Sequence, residues 1–535
     1  MRIKEAFYNK AAVSLLGLAA LCFSTQASAD KLVILHTNDT HSSIMPDKEG
    51  RGGVLQRKAV IDSVRKAEKN VLLIDAGDMV QGSLYFKYFR GDVEYPLFNM
   101  TGYDIRILGN HEFDNGMEDL AEKYKDVKAA RLSANYDFSG TALDGIFQPY
   151  VIKKVGGKKI GFFGLNVDPE SLISAKNIDV NFKEIIPVAN EVARHLKHDK
   201  KCDLVVAVTH IGYEKENDKT IDPEMIAASS DIDLVIGGHS HTLIDPQHPE
   251  IYPSLIPNAE GRNVRVGQTG KYGRYIGKMT VDLDRLGKGK AVAGEDIAYE
   301  LIPVTDRFPA EQLDMKMIAH IEPYRLAVDS AENRVIGISR YNLDSSGRTG
   351  GFANLTADIT HEYLSHKADS LRACGMDIGR VDMSLMNVGG IRQDMPVGNI
   401  TEGQILSTYP FSNHFVLIEL KGADIIETLR VAARKGGEGI SGNVRVVTDK
   451  DRNLQRVIID GEEMDPDKLY LFGTINYAAE GNDDMRTLAN HRLVWTDEVE
   501  VAAPLLRWFE HQRELGLPVA PDLNPRFVVD INEEL

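Results

Sequence analysis

The chain of 535 residues contains only three cysteines, and basic residues are in the minority. Cys202 and Cys374 lie far apart, so we expect no disulfide framework and predict that each is a small buried hydrophobic residue. Asp and Glu number 79 against 62 Lys and Arg, which gives a formal net charge of −17. This balance argues against binding of polymeric nucleic acid, because that function needs a basic surface.

Long apolar runs are also missing after the first 29 residues, so we predict no membrane span. The leader itself has the pattern of an export signal: basic residues, an apolar run over Ala11–Phe23, and a small-x-small site at Ala27-Ser28-Ala29. Cys22 raises the alternative of a lipoprotein signal, but bulky Leu21 precedes it. We therefore predict a signal peptide over residues 1–29, cleavage before Asp30, and a protein exported to the periplasm or the extracellular space.

Short apolar runs that alternate with helix-like stretches predict a layered α/β domain over residues 30–308. The runs are rich in Val, Ile and Leu and alternate little, which is typical of strands buried on both faces. Helix-like stretches include Gly53–Lys69 and Val188–His198. The predicted strands are Leu32–Leu35, Val71–Ile74, Ile105–Leu108, Ile160–Leu165, Leu204–Val208 and Leu234–Ile236.

A domain boundary is expected where two prolines, Pro303 and Pro309, flank a polar stretch. The next residues, 310–329, have the pattern of one helix, so we predict a linker helix within residues 309–333. A second domain is predicted over residues 334–535. It has a helical stretch at Asn354–Arg372, a Gly-rich turn at Asn387–Gly390 and a strand-like segment at Phe415–Leu420.

Five of the predicted strands are each followed by Asp, Asn or His. The carboxyl ends of strands are where α/β sheets place their ligand sites, and nearby glycines let the backbone turn sharply there. A single residue of this kind is more often a helix cap or a hydrogen-bonded core histidine, but five such elements in order predict a metal centre. The residues are Asp39, His41, Asp78, Asn110, His210, His239 and His241.

Carboxylate, amide and imidazole ligands together suit zinc, manganese, iron or cobalt better than an all-oxygen calcium or magnesium site. Two cations roughly 3.5–4 Å apart need a shared carboxylate, and we predict that Asp78 is the shared group. The predicted cofactor is two divalent metal ions drawn from Zn, Mn, Co or Mg. The first site would combine Asp39, His41, Asp78 and His241, and the second Asp78, Asn110, His210 and His239.

The order Asp-x-His, Gly-Asp, Gly-Asn-His-Glu, His, Gly-His-x-His resembles that of the calcineurin-like metallophosphoesterases. The segment Leu35-His36-Thr37-Asn38-Asp39-Thr40-His41 more narrowly resembles the secreted 5′-nucleotidase / UDP-sugar hydrolase family. The resemblance implies a catalytic domain built as a two-sheet α/β/β/α sandwich with two metals, and an α+β substrate-binding domain at the carboxyl end. Its metal positions agree with those above, and at the position of His241 the family has Gln or His.

Next to ligand Asn110 stands His111, and Asp114 follows three residues later. If a helix starts here, Asp114 can face back toward His111 and orient its ring. The pair resembles the family's His–Asp dyad, which stabilises the transition state or assists the leaving oxygen. Glu112 is left open between a supporting residue of the metal site and a carboxylate at a helix start.

Further resemblance lies in the second domain. Residues 387–392 are similar to the family's Asn-Gly-Gly-Gly-Ile-Arg, residues 410–413 to Pro-Phe-Gly-Asn, and residues 476–484 to Asn-Phe followed by Gly-Gly-Asp-Gly. By this resemblance Phe411 and Tyr477 stack the two faces of a nucleobase, and an arginine past the Gly-rich turn suits a phosphate. The other expected substrate contacts are Asn387, Arg392, Asn413, Asp483 and, as a second arginine, Arg348.

Five residues depart from the family pattern at this predicted cleft, and they leave the preferred nucleoside and leaving group open. Val388, Ser412, Asn482 and Asp484 replace glycines, and Tyr477 replaces a phenylalanine.

We therefore expect an exported dimetal hydrolase that releases phosphate from nucleoside 5′-phosphates, with nucleotide di- and triphosphates or UDP-sugars as related substrates. The alternative within the enzymes is a 2′,3′-cyclic-nucleotide phosphodiesterase/3′-nucleotidase. A different class, a non-catalytic binding protein on the same fold, predicts lost ligands, whereas all seven are present. The expected partner is a small-molecule nucleotide, and the sequence leaves the oligomeric state open, a monomer included.

Overall fold

The computed structural model describes residues 30–170, 173, 177–215, 219–348 and 350–529. The predicted signal peptide lies outside these described residues. Within them, no helix combines the length and the apolar character that crossing a bilayer requires.

Two six-stranded sheets form the amino-terminal half. The first has the strand order Ile297–Pro303, Tyr275–Asp282, Lys31–Thr37, Val71–Asp75, Ile105–Arg106 and Ala130–Arg131. The second has the order Leu255–Pro257, Asn263–Gly267, Leu234–Ile236, Leu204–His210, Lys158–Asn166 and Tyr150–Val155.

The central strands of both sheets run parallel, so their carboxyl ends meet at one edge. All six predicted strands are present, although the third spans only Ile105–Arg106 and not Ile105–Leu108. Beyond the end of this strand the chain passes close to Asp78, since a Cβ at Gly109 would collide with the Asp78 carboxylate.

Alternate residues of the strand Lys31–Thr37 enter two different cores. Leu32 and Ile34 pack in a core that contains residues of both sheets, whereas Val33 and Leu35 pack in a core with the neighbouring helices. This gives the layered sandwich that the sequence predicts. The helices of this half are Val54–Ala67, Leu84–Phe89, Glu94–Thr101, Met117–Tyr124, Ile185–Arg194 and Asp222–Ala227.

The carboxyl-terminal half is mixed α and β, as predicted. A five-stranded sheet has the order Gly439–Ile440, Met383–Met386, Leu469–Ile475, His414–Lys421 and Arg492–Glu500. A four-stranded sheet has the order Glu462–Glu463, Leu454–Ile459, Val444–Thr448 and Phe527–Val529, and Val335–Ser339 pairs with Gly398–Thr401. The helices are Gly351–Ala373, Glu402–Thr408, Gly422–Arg434, Asn476–Ala479 and Ala502–Glu514.

The connection between the halves differs from the single helix predicted over residues 310–329. A short 3₁₀ turn at Ala310–Gln312 comes first, and the helix proper is Met315–Asn333. It starts there because the Asp314 side chain accepts the backbone N–H groups of residues 316 and 317, which is an N-cap. Its apolar side packs in the hydrophobic core of the second half, together with residues of Leu84–Phe89.

The prediction for the two cysteines is half right. Both are free thiols, and Cys202 is buried, but Cys374 is exposed. Cys374 directly follows the helix Gly351–Ala373, where the chain turns at the surface through Gly375 with a φ of 91°.

Candidate active site

The seven predicted metal ligands stand at or after the carboxyl ends of strands of both sheets. Asp39, His41, Asp78 and Asn110 follow strands of the first sheet, and His210, His239 and His241 belong to the second. Their atoms converge. Asp39, His41 and His241 offer ligand atoms within 4.8 Å of one another, and so do Asp39, Asp78 and His210.

Five of these seven residues have a left-handed backbone. The φ angles are 49° at Asp39, 44° at His41, 54° at Asp78, 85° at His239 and 57° at His241. For residues other than glycine this region is sparsely populated, and it costs of the order of 1–3 kcal/mol per residue. The surrounding structure therefore holds these side chains in one arrangement at an energetic cost, as expected where they must meet at a shared ligand.

The donor set fits divalent cations. Asp39 and Asp78 are fully buried, and among the described residues no Lys or Arg lies within ion-pair distance of either. The Nε2 atoms of His41 and His241 are 2.9 Å apart, and burial lowers the pKa of His41 to about 3. Buried carboxylates without a cationic partner are costly, and the neutral imidazole is the form of histidine that binds a metal. The residues present thus suit the metal chemistry that the sequence predicts.

The distances between the side chains bear on the predicted division into two sites, and Asp39 has ligand atoms near residues of both sites. Asp78 Oδ2 lies 3.2 Å from His210 Nε2 and 4.0 Å from His41 Nε2, so it faces one histidine of each site. Asp39 Oδ1 lies 3.5 Å from His241 Nε2 and 3.8 Å from His41 Nε2, both of the first site. The assignment of individual ligands stays a prediction.

Contacts behind the ligands orient them. The Nδ1–H of His210 donates to the Ala76 carbonyl oxygen at 2.7 Å, which directs the other ring nitrogen, Nε2, toward Asp78. In the predicted second site, His239 Nδ1 lies 3.0 Å from Asn110 Oδ1.

Glu112, which the sequence leaves open, has a clear structural role. Its buried carboxylate accepts the backbone N–H groups of Asp78 at 3.0 Å, Met79 at 2.9 Å and Gly109 at 2.6 Å. It therefore clamps the loop that presents Asp78 to the loop that presents Asn110. Its only sequence signal is its place in Gly-Asn-His-Glu.

Arg106 was missed by the sequence reasoning. It is fully buried, donates to Glu112 Oε1 at 3.2 Å, and lies 3.6 Å from Asp75 Oδ2. Its guanidinium also lies over the rings of Phe98 and Tyr124. A single arginine in a predicted strand otherwise made of apolar residues is the only signal that could have identified it.

The predicted dyad is formed, although a 3₁₀ turn at His111–Phe113 replaces the helix start that we considered. His111 Nδ1 lies 3.1 Å from Asp114 Oδ2, and the His111 backbone N–H donates to Asp78 Oδ1 at 2.9 Å. Burial disfavours the charged ring, but Asp114 and Asp78 outweigh it and raise the pKa of His111. The arrangement can therefore supply a proton from Nε2, the ring nitrogen that does not face Asp114.

A cavity of about 550 Å³ lies between the two halves. It is lined by Asp78, Asn110, His111 and Asp114 of the first half. All the residues predicted to contact substrate also line it, namely Arg348, Asn387, Arg392, Phe411, Asn413, Tyr477 and Asp483. The structure thus brings the predicted substrate residues to the predicted metal centre, while their individual roles stay predictions.

Within the cavity, the Phe411 ring lies nearly parallel to the His111 ring, with centroids 5.9 Å apart. The Arg392 guanidinium lies over the same Phe411 ring, at 5.7 Å from its centroid. Arg348 donates to Glu438 at 2.7 Å, and buried Glu438 also accepts the Val388 N–H at 2.6 Å.

The departures from the family's glycine-rich turn are accommodated by the backbone. Asp483 and Asp484 adopt φ angles of 56° and 61°, a conformation that Asp tolerates better than most residues. Asp483 accepts the Asn387 amide at 2.7 Å, and Lys435 pairs with Asp484 at 2.7 Å. Asp484 therefore has a positive φ where the family has glycine, and Gly481 is retained with a φ of 90°.

Comparison with known proteins agrees with this geometry. Residues 32–243 match the calcineurin-like phosphoesterase family, and residues 329–490 match the 5′-nucleotidase C-terminal domain. The chain belongs to the 5′-nucleotidase family of calcineurin-like phosphoesterases. It is a metal-dependent phosphoester hydrolase of two domains.

The similarity extends over most of the chain. It is 29% identical to the 5′-nucleotidase of Bos taurus over 83% of this chain and 79% of that protein. It is 28% identical to Protein UshA of Escherichia coli over 86% of this chain and 87% of that one. The crystal structure of a 5′-nucleotidase precursor from Thermus thermophilus has a TM-score of 0.76 and 28% identity, and covers 94% of this chain and 100% of that chain.

Proposed function

We propose that the protein hydrolyses nucleoside 5′-monophosphates to nucleoside and phosphate, with two divalent cations held by the seven strand-end ligands. The observation that carries this proposal is the cavity in which the ligand cluster, the His111–Asp114 pair and an aromatic, amide and arginine set from the second half face one another. Divalent cations there would hold the phosphoryl group, neutralise its charge and lower the pKa of an attacking water.

His111 has the position to act on the leaving oxygen or on a phosphoryl oxygen. Asp114 holds one side of its ring and, with Asp78, raises its pKa against the effect of burial, which favours the charged ring that can donate a proton from Nε2. Asn110 and Arg392 add donors for the same group from the two halves of the molecule, since both line the cavity.

The second half supports recognition of a nucleoside. Phe411 and Tyr477 line the same cavity and offer ring faces, which bind any nucleobase. The Asn387–Asp483 hydrogen bond fixes two polar side chains beside them, where a base or ribose would need donors and acceptors. We also infer export through the amino-terminal signal, which is expected to place the enzyme where external nucleotides are its substrates.

A substrate panel tests the proposal. Protein stripped with a chelator is assayed for phosphate release after addition of Mn, Co, Zn or Mg. AMP, ADP, UDP-glucose and 2′,3′-cyclic AMP serve as substrates. We expect AMP to be hydrolysed only after metal is restored. The variant Asp78→Asn should lose at least roughly 100-fold in kcat while its circular dichroism stays that of the wild type.

The matched control for this panel is Asp231→Asn, a surface change at a residue that pairs with exposed His198. Exclusive turnover of the cyclic nucleotide would favour the phosphodiesterase instead. Full activity of a verified metal-free preparation would refute the proposal.

A further inference from the structure

One positively charged side chain of the cavity has no part in the function proposed above. Lys271 lines the cavity together with His239 and His241 of the metal centre, and it is partly buried there. Its ammonium group contacts a ring: Nζ lies 5.0 Å from the centroid of Tyr272. Among the described residues, no carboxylate lies within ion-pair distance of this ammonium group.

The backbone on both sides of Lys271 is held by Asn38 and Asp39, in the loop that carries the predicted ligand Asp39. The residue before it, Gly270, accepts the Asn38 side-chain amide at 2.8 Å, and the residue after it, Tyr272, donates its N–H to the Asp39 carbonyl at 2.8 Å. Tyr272 has a φ of 64°, and its ring lies 6.0 Å from that of His41. The backbone of Lys271 therefore has a defined position beside a predicted ligand.

The other cavity cations have different surroundings. Arg348 is paired with Glu438, whereas Arg392 approaches from the second half over the Phe411 ring. Both Lys271 and Arg392 act electrostatically on His241 and help to lower its pKa, although its burial is the larger cause. Within the described part of the chain, the metal end of the cavity is therefore flanked by one cation without a carboxylate partner from each half of the molecule.

This charge exceeds what a phosphodiester needs. Two divalent cations would more than balance Asp39 and Asp78, and Lys271 and Arg392 would then add positive charge to an already positive site. A terminal phosphoryl group carries close to two negative charges at neutral pH, and a diester only one. An ammonium group that has no carboxylate partner stabilises the more highly charged group more strongly.

We propose that Lys271 binds the terminal phosphoryl group of the substrate, and that its charge makes the enzyme prefer phosphomonoesters to phosphodiesters. This proposal rests on the phosphohydrolase function above and names the class of phosphate that the site takes. Lys271 touches substrate and takes no proton in the reaction, so its effect is on binding of the anion.

The experiment compares Lys271→Met with the wild type, with Lys271→Arg, and with the control Lys278→Met. Lys278 belongs to the adjoining strand and pairs with Glu300 away from the cavity. Calorimetry on the metal-loaded proteins measures the Kd of inorganic phosphate and of adenosine. We expect Lys271→Met to weaken phosphate binding at least about fivefold and to leave adenosine binding within about twofold. Lys271→Arg should restore most of the loss.

Turnover gives the second measurement. AMP is compared with the 4-nitrophenyl diester of thymidine 5′-monophosphate. If the diester is not turned over, its Ki as an inhibitor of AMP hydrolysis is used instead. Lys271→Met should lower kcat/KM for AMP about tenfold and change the diester value less than about twofold. An equal loss for both compounds, or unchanged phosphate binding, would overturn the role of Lys271. If the wild type released no phosphate from AMP, the proposed substrate would be wrong, and the phosphate Kd would still decide the role of Lys271.

Discussion

At the scale of single residues, His111 has the surroundings that a proton donor needs. One side of its imidazole group is held by Asp114, its backbone is held by Asp78, and its ring lies beside Phe411 in the cavity. The side chain thus connects the metal centre to the position expected for the nucleoside.

Replacement of this ring should affect turnover far more than folding. We expect His111→Ala to lower kcat for AMP by roughly 10²–10⁴-fold, the usual contribution of a positioned acid or base, with a smaller change in KM. Steady-state kinetics measures both constants, and thermal unfolding checks stability. The control is His198→Ala, which removes a surface imidazole. A variant with wild-type kcat would contradict the role of His111.

The pH profile reports the partner of this histidine. Asp114 raises the pKa of His111, so Asp114→Asn should lower that pKa. Because the acid form is the active one in the proposed reaction, the alkaline limb of kcat against pH should move to lower pH. Activity at about pH 8 should therefore fall more than activity at about pH 6. An unshifted alkaline limb would show that Asp114 does not set the protonation of His111.

Sequence reasoning found the strand-end ligands because they follow apolar runs within a few residues, which is visible without any structure. It left Glu112 undecided and missed Arg106 and Lys271. Their roles depend on contacts with residues that are distant in the sequence. Glu112 accepts backbone N–H groups, the Arg106 guanidinium lies over aromatic rings, and the residue before Lys271 is hydrogen-bonded to Asn38. No local pattern contains that information.

At the scale of elements, the loops that carry the ligands are joined to one another. Glu112 connects the loop after Val71–Asp75 to the loop after Ile105–Arg106 through three backbone N–H groups. Strand positions were predicted well because they follow from apolar runs. The helix predicted over residues 310–329 began too early, because the prediction did not use the Asp314 side chain, which caps the helix by accepting two backbone N–H groups.

Loosening this clamp should weaken the metal centre without removing any predicted ligand. Glu112→Gln keeps the shape but turns an amide toward the backbone N–H groups, so at least one of them loses its acceptor. We expect a loss of roughly 10–100-fold in metal affinity, the usual size for residues that orient ligands. Competition with a chelator, followed by cobalt absorption, measures it. The control is Glu118→Gln, at an exposed position of the next helix. Unchanged affinity would show that the clamp has no influence on the metals.

At the scale of the whole molecule, the two halves meet through apolar and charged contacts. Leu84 and Tyr85 of the first half pack in the same hydrophobic core as Met317 and Ile321 of the connecting helix. On the same short helix as Leu84, Lys87 reaches across, donating to the Phe411 carbonyl at 3.2 Å and to Glu500 at 2.5 Å. The first half thus helps to position an aromatic ring of the second.

Removal of the contact between Lys87 and the second half should change KM and leave kcat nearly unchanged. We expect Lys87→Met to raise KM for AMP roughly tenfold, equivalent to about 1.4 kcal/mol, because Phe411 loses its anchor. The value of kcat should stay within about twofold, since Lys87 does not touch the reacting atoms. The comparison is Lys69→Met, an exposed lysine near Asp30. A fall in kcat with constant KM would be the contrary result.

The origin of the ligands in two separate sheets has a consequence for the durability of the protein. Cations that bind Asp39 and Asp78 from the first sheet and His210 and His241 from the second would cross-link the two sheets of the sandwich. The thermal stability of the protein would then depend on bound metal as well as on the sequence. Protein purified with a chelator would unfold first at the edge where the ligands of the two sheets meet.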